Sequence, residues 1–278
     1  MLERKINMKK ILTILFSFIN LNLYSQILDD VSYKGYAEYL MIRNKVITLD
    51  YYDFKARKNV NIISDFNIIN DNGIPFLQLT IRQQNKKWLF LNSSDFIVAY
   101  KNDSDSYFLG GIGTSLSFND VRKATYTSTS FLIEKNNRYT PENLGTTEPN
   151  KPWVEGVKGS GIGEKLFLKL QHWIDKDGKP GGIGALILSN GYVSFSNPSL
   201  YYKNNRVKEF LVTSKSPDFS FIQRLTDTPN PQFILLPAPT SEITLKIVSI
   251  YPGNQWDDTC VNFILTLDLN QSKRIKAK

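Results

Sequence analysis

The chain of 278 residues holds one cysteine, Cys260, and one histidine, His172. These two scarcities exclude more chemistry than any motif suggests. A single cysteine forms no intramolecular disulfide and supplies no thiolate cluster for a metal. A thiol nucleophile needs a base, and the sole histidine sits in Leu170-Gln171-His172-Trp173, which reads as one face of a strand. Also missing are paired acidic residues in a glycosidase-like context, a nucleophile elbow and a metal-ligand cluster. No window sustains a 3.6-residue apolar stripe, so long helices are not expected. No apolar run is comfortable as a transmembrane helix. The expectation is a chain without catalytic machinery and without a resident cofactor.

Positive charge is in excess, at a formal +8, but much of it lies at the ends. Arg4, Lys5, Lys9 and Lys10 fall within the first 25 residues, and Lys273, Arg274, Lys276 and Lys278 within the last six. The body between them is close to neutral and has no dense basic stripe with interleaved aromatics. Nucleic acid is therefore not an expected partner. Residues 1–25 read as an export signal, with Met8 as an alternative start. Lys9 and Lys10 precede an apolar run from Ile11 to Leu23, and Tyr24-Ser25-Gln26 offers a small residue before a cleavage point. With no cysteine near that point, a lipid anchor on cysteine is ruled out, and a secreted or periplasmic protein is expected. Residues 271–278 form a basic tail.

What is present is β structure. Runs rich in β-branched and aromatic residues recur at Val46–Phe54, Val60–Ile69, Ile74–Ile81, Lys87–Leu91, Phe96–Lys101 and Tyr107–Leu109. Asp71-Asn72-Gly73 and Ser93-Ser94-Asp95 read as turns between them. From Lys135 to Pro152 the chain carries three prolines and almost no apolar residue, which predicts a linker or surface loop. Strands resume at Lys165–Trp173, Gly184–Ser189, Val207–Ser214, Ser220–Leu225, Gln232–Leu236, Ile243–Ile250 and Cys260–Leu269. Ile243, Leu245 and Ile247 alternate with Thr244, Lys246 and Val248, the pattern of a half-buried strand. The predicted organisation is all-β: a β-rich unit of unassigned role over residues 27–134, a linker over 135–152, and a β-sandwich over 153–270.

Gly159, Gly161 and Gly163 lie in Trp153-Val-Glu-Gly-Val-Lys-Gly-Ser-Gly-Ile-Gly-Glu164. A dinucleotide loop needs a strand before these glycines and a helix after them. Here a proline-rich stretch precedes and the strand Lys165–Leu170 follows, so the glycines are expected to make a tight, irregular turn. Three more segments follow in order: Ser189-Asn190-Gly191-Tyr192, Asn204-Asn205-Arg206-Val207-Lys208, and Ile247 to Val261 with its Tyr251-Pro-Gly-Asn-Gln-Trp256-Asp-Asp-Thr-Cys260 loop. Together these four segments resemble the NADase-type glycan-binding domain, named for the translocation domain of secreted bacterial NAD glycohydrolase toxins. The resemblance runs from Trp153 to about Asp268. It implies a galactose-binding-like jelly roll related to discoidin and carbohydrate-binding modules, with a binding or targeting role and not the toxin's catalysis. Two departures stand out: Trp256 replaces a usual tyrosine, and Val261-Asn262-Phe263 lacks the carboxylate that tends to follow the cysteine.

A sugar presents a weakly apolar C–H face and a ring of hydroxyls, which an exposed aromatic ring and nearby Asn, Asp, Glu or Arg groups can meet. The loops supply Trp153, Glu155, Tyr192, Asn205, Arg206, Trp256, Asp257 and Asp258 as candidate glycan ligands. Each has a structural alternative. Trp153 and Glu155 could lock the first turn to the core, and Arg206 could tie loops together by pairing with Glu155 or Asp258. Asn190 could supply a positive φ in its turn. Asp257 and Asp258 are also the types that ligate calcium, although the acidic loop spacing that would favour that ion is missing. The expected function is a non-catalytic module that binds a glycan on a host or bacterial surface. The alternative is an interaction module that engages a protein partner or toxin component through the same loops.

Overall fold

The computed structural model describes residues 31–34, 39–53, 56–81, 83–93, 96–111, 121–171 and 181–268. The export signal, His172, Trp173 and the basic tail lie outside them. The first half is a closed barrel of eight antiparallel strands: β1 (Val31–Lys34), β2 (Tyr39–Arg43), β3 (Val46–Asp53), β4 (Lys58–Asp71), β5 (Ile74–Ile81), β6 (Gln84–Asn92), β7 (Phe96–Tyr100) and β8 (Ser106–Gly111). Tyr33 pairs with Gly111 and Lys34 with Gly110, which closes the ring. The Asp71-Asn72-Gly73 turn is as expected, with φ of 52° at Asn72 and 85° at Gly73.

An eight-stranded barrel has an interior that side chains alone can fill. Alternation along each strand sends Ile47, Leu49 and Tyr51 inward from β3, and Leu77, Leu79, Trp88 and Phe90 from β5 and β6. The Trp88 and Phe90 rings stack at 6.0 Å, and Tyr51 meets Trp88 edge-on at 5.9 Å. This interior is a packed core.

The second half is the expected sandwich, and five of its strands begin one or two residues before the predicted starts. One sheet runs β10 (Ala124–Ser128), β14 (Lys165–Leu170), β19 (Glu242–Tyr251), β16 (Asn205–Lys215) and β17 (Asp218–Arg224). The other is built from β18 (Gln232–Thr240), β15 (Ile183–Asn190) and β20 (Thr259–Leu267). The short strands β9 (Val121–Arg122) and β13 (Trp153–Val154) pair with β20. The two sheets join where Asn205 and Arg206 run parallel to Thr259 and Cys260. Ile243, Leu245 and Ile247 all face the core between the sheets, as their alternation predicts.

The boundary near residue 135 does not hold. β9 and β10 already belong to the sandwich, and the Tyr126 hydroxyl donates to the Ile264 carbonyl at 2.7 Å. Residues 135–152 are not a linker. They complete a hairpin from β11 (Ile133–Glu134), just before them, to β12 (Asn137–Arg138), and continue into a 3₁₀ turn at Pro141–Gly145. Pro141, Leu144, Pro149 and Pro152 are all buried. A polar, proline-rich stretch can be ordered when its few apolar groups all reach a core and its prolines limit the entropy that must be lost.

The barrel and the sandwich also share a core. Ile74, Phe76, Leu89, Leu91, Val98 and Tyr100 of the barrel pack on Ala185, Ile187, Phe263, Leu265 and Leu267 of β15 and β20. The chain is therefore layered, with the five-stranded sheet, the β18–β15–β20 sheet and the barrel wall stacked in that order. Leu144, fully buried in the sandwich core, separates the two readings of its segment. Leu144→Ala is expected to cost about 2–5 kcal/mol in urea unfolding; an exposed linker would register almost nothing.

Candidate functional site

The four sequence segments that carry the resemblance converge on one end of the sandwich, where β13, β16 and β20 begin. The structure divides the candidate residues there into a buried frame and a surface group.

Trp153 belongs to the frame. It is fully buried on β13, and its indole Nε1 donates to the Ser130 carbonyl at 3.1 Å. Glu155 follows it, also fully buried. Its carboxylate accepts from the Val157 amide at 2.7 Å and faces the Thr259 amide at 3.5 Å, so it ties the glycine turn to the start of β20. Gly161 has a φ of 63°, and a Cβ there would come within 2.5 Å of the Glu155 Cγ. Only glycine lets the turn close over that side chain. The three glycines thus serve the tight turn the sequence predicts.

Arg206 is 4% exposed, and its pairing differs from the expected one. Asp227, and neither Glu155 nor Asp258, is its partner: Nε meets Oδ1 at 3.0 Å and Nη2 meets Oδ2 at 2.7 Å. Nη1 donates to the carbonyls of Asn204 and Pro252. The guanidinium lies 5.4 and 5.5 Å from the Tyr201 and Tyr202 rings. Desolvation lowers its proton affinity, yet the Asp227 hydrogen bonds and charge leave it raised overall. Such a pair, with its remaining donors satisfied, holds two loops in place. Asn205, 2% exposed, donates to the Asp257 carbonyl and accepts from the Gly253 amide at 2.6 Å.

Asn190 also acts differently from its predicted role. The positive φ of its turn, 74°, belongs to Gly191, while the buried Asn190 amide group bonds the Val207 carbonyl and amide at 2.6 and 3.1 Å. Asn262 explains the missing carboxylate. It is fully buried, and its Nδ2 donates to Ser189 at 3.0 Å and to the Tyr100 hydroxyl of the barrel at 3.4 Å. A carboxylate buried there beneath the barrel would carry an uncompensated charge.

The surface group is smaller. Trp256 is 38% exposed, with the Lys203 ammonium 5.5 Å from its ring centre. Its amide and that of Gln255 both donate to the Lys203 carbonyl, and Asn254 donates to Tyr202, so the loop is pinned to α1 (Leu200–Lys203). Asp257 is exposed and Asp258 half-buried. Burial raises the Asp258 carboxyl above its ordinary value, and Glu134 and Asp257 add to the rise. Tyr192 is half-buried against Tyr139, with ring centres 6.0 Å apart, and burial holds its phenol protonated. Among the described residues no group of three or more His, Cys, Asp and Glu is placed to hold a metal. Burial pushes the Cys260 thiol up, which disfavours the thiolate. Sequence reasoning missed Asp227, Tyr139 and Glu134, since each meets its partner across a long stretch of chain and carries no local signal.

Glu155 yields a pH dependence. Desolvation pushes its carboxyl up to about 7 from the usual 4.5, against the two amide hydrogen bonds that lower it. Between those two values the folded chain holds a proton that the unfolded chain has lost, so this group's contribution to stability falls as pH rises through that window. Glu155→Gln is therefore expected to gain on the parent, in urea midpoints, from pH 5 to pH 8. A constant difference across that range would contradict the assignment.

No helix among the described residues is long and apolar enough to cross a membrane. No curated protein matches the chain. Solved structures with likeness include a family 32 carbohydrate-binding module from Streptococcus pneumoniae EndoD, at 14% identity and a TM-score of 0.37, covering 54% of this chain and 99% of that one. The family 32 module from C. perfringens NanJ, in complex with galactose, aligns at 12% identity and a TM-score of 0.33, over 51% and 92%. The CBM32 and M60 catalytic domains of Clostridium perfringens ZmpB align at 7% identity and a TM-score of 0.37, over 56% of this chain and 15% of that one. At the level of sequence families, residues 117–266 match the NAD glycohydrolase translocation F5/8 type C domain. That match takes in β9 and β10 as well as the later strands, and it covers more than half of the chain; the chain belongs to this family.

Proposed function

We propose that the protein is a secreted, non-catalytic carbohydrate-binding module that targets a glycan on a host or bacterial surface, and that the glycan sits at the loop end of the sandwich. The observation that carries this reading is Trp256: an indole left partly exposed on a loop whose backbone is fixed from three sides. A rigid, partly exposed aromatic ring next to carboxylates is suited to a sugar's C–H face and hydroxyls. Asp257 and Asp258 then meet hydroxyls, and Tyr192 with Tyr139 extends the aromatic surface. Trp153, Glu155, Asn205 and Arg206 act beneath them as the frame that holds the loops, not as ligands. Export rests on the sequence of residues 1–25. The scarcity of histidine and cysteine, together with membership of a translocation-domain family, supports a role without catalysis.

Trp256→Ala leaves the buried frame untouched, so the fold should persist. On a glycan array this variant is expected to lose signal for the bound sugars by about tenfold or more, the change that about 1.4 kcal/mol makes. A flat array with well-folded parent protein would contradict glycan binding. A single stoichiometric protein partner, captured in a way that free sugars do not affect, would favour the interaction-module reading instead.

A further inference from the structure

The barrel covers the outer face of β18–β15–β20, and the outer face of the five-stranded sheet stays exposed. Charged residues on this sheet are matched across strands. Lys169 faces Glu242, with Nζ and Oε1 2.5 Å apart, Arg224 faces Glu209, and Lys215 faces Asp218. Lys165 and Lys246 break the pattern, because they face each other in register. Residues so placed have Cβ atoms about 5 Å apart, where like charges destabilise the pair. Among the described residues neither ammonium makes an ion pair. Two facing cations kept on an otherwise balanced face make a place for an anion.

The adjacent row gives the rest of the ligand's chemistry. Pairing in register lines up Thr127, Phe167, Thr244, Thr213 and Ser220 across all five strands. Each alternates with a core-facing neighbour and so points outward, and Phe167 is 38% exposed. With strands about 4.8 Å apart, the row spans about 19 Å. Four hydroxyls and one aromatic ring in a row complement a sugar chain, and the lysine row beside it adds Leu211 and the exposed Ile222, apolar groups suited to a sugar's C–H faces.

We propose that this face binds an anionic polysaccharide running across the strands. An acidic group, carboxylate or sulfate, is held between Lys165 and Lys246, and the neutral part of the chain lies along the hydroxyl row. The assignment rests on the reading that the protein binds glycans; it names their class and adds a face separate from the loop end.

The test is titration of the full chain with alginate, chondroitin sulfate, dextran and polyglutamate, at low and raised salt. At least one of the acidic polysaccharides should bind better than dextran, with affinity falling as salt rises. Alginate carries carboxylate alone and chondroitin sulfate both carboxylate and sulfate, so binding of chondroitin sulfate without alginate would assign the group as sulfate, while binding of alginate would show that a carboxylate suffices. Lys165→Gln with Lys246→Gln should weaken that binding about tenfold and leave the thermal midpoint unchanged or higher, since a repulsive pair is removed. Lys158→Gln, on the exposed glycine turn, serves as the control and should bind like the parent. Trp256→Ala should retain acidic-polysaccharide binding, which separates failure here from failure of the loop site. Acidic polysaccharides no better than dextran, or a double variant that binds like the parent, would overturn the proposal. Polyglutamate binding as well as the polysaccharides, with the same dependence on the two lysines, would overturn the sugar assignment in favour of an acidic protein.

Discussion

Strands β15 and β20 have no polar face to give to water, and the rest of the architecture follows from that constraint. Every residue of Ile183–Asn190 and of Thr259–Leu267 is buried. One side of each strand, with Leu186, Leu188, Val261 and Ile264, faces the five-stranded sheet; the other, with Ile187, Phe263 and Leu265, faces the barrel. A β-sandwich ordinarily leaves the outer faces of its sheets wet. Here one of those faces has become an interior, and the barrel is its cover. At that face the Asn262 amide donates across it to the Tyr100 hydroxyl and beside it to Ser189 of β15. At the rim, the Asp103 carboxylate accepts from the Phe195 and Ser196 amides.

The same strand carries the candidate site. β20 begins where the pinned loop of Trp256 ends, and its first residues receive Glu155 through Thr259 and run beside Arg206 on β16. The loop end is therefore anchored to a strand that is buried along its whole length. The loop backbone is fixed by the buried Asn205 and by the buried Arg206 guanidinium, which the half-buried Asp227 holds in place. This division explains why so few side chains remain to meet a ligand. Most of the polar residues in the four family segments are spent on holding loops in place.

Much of the fold was legible in the sequence, and the reasons it was legible also mark where reading stopped. Ile243, Leu245 and Ile247 announce a strand with one wet face because their neighbours are polar. The continuous apolar runs of β15 and β20 announce burial on both sides, but a sequence does not say what lies on the second side. Residues 135–152 were misread because composition counts apolar residues and does not weigh them. One leucine and three prolines, all reaching the interior, were enough to order the stretch. At the site, residue type suggested ligands, yet Trp153, Glu155, Asn205 and Arg206 are equally the types that satisfy buried backbone groups. Only burial separates the two uses. Asp227, 21 residues beyond Arg206 and across a hairpin, had no local mark at all.

The account depends most on the claim that the barrel and the β18–β15–β20 sheet share one core. Expressing residues 117–268 without the barrel, and following urea unfolding against the full chain, tests that claim directly. Exposure of Ile187, Phe263, Leu265 and their neighbours should abolish the cooperative transition or shift it to much lower urea, with strong binding of an apolar dye in the absence of denaturant. A truncated sandwich that unfolds cooperatively at the midpoint of the full chain would contradict it.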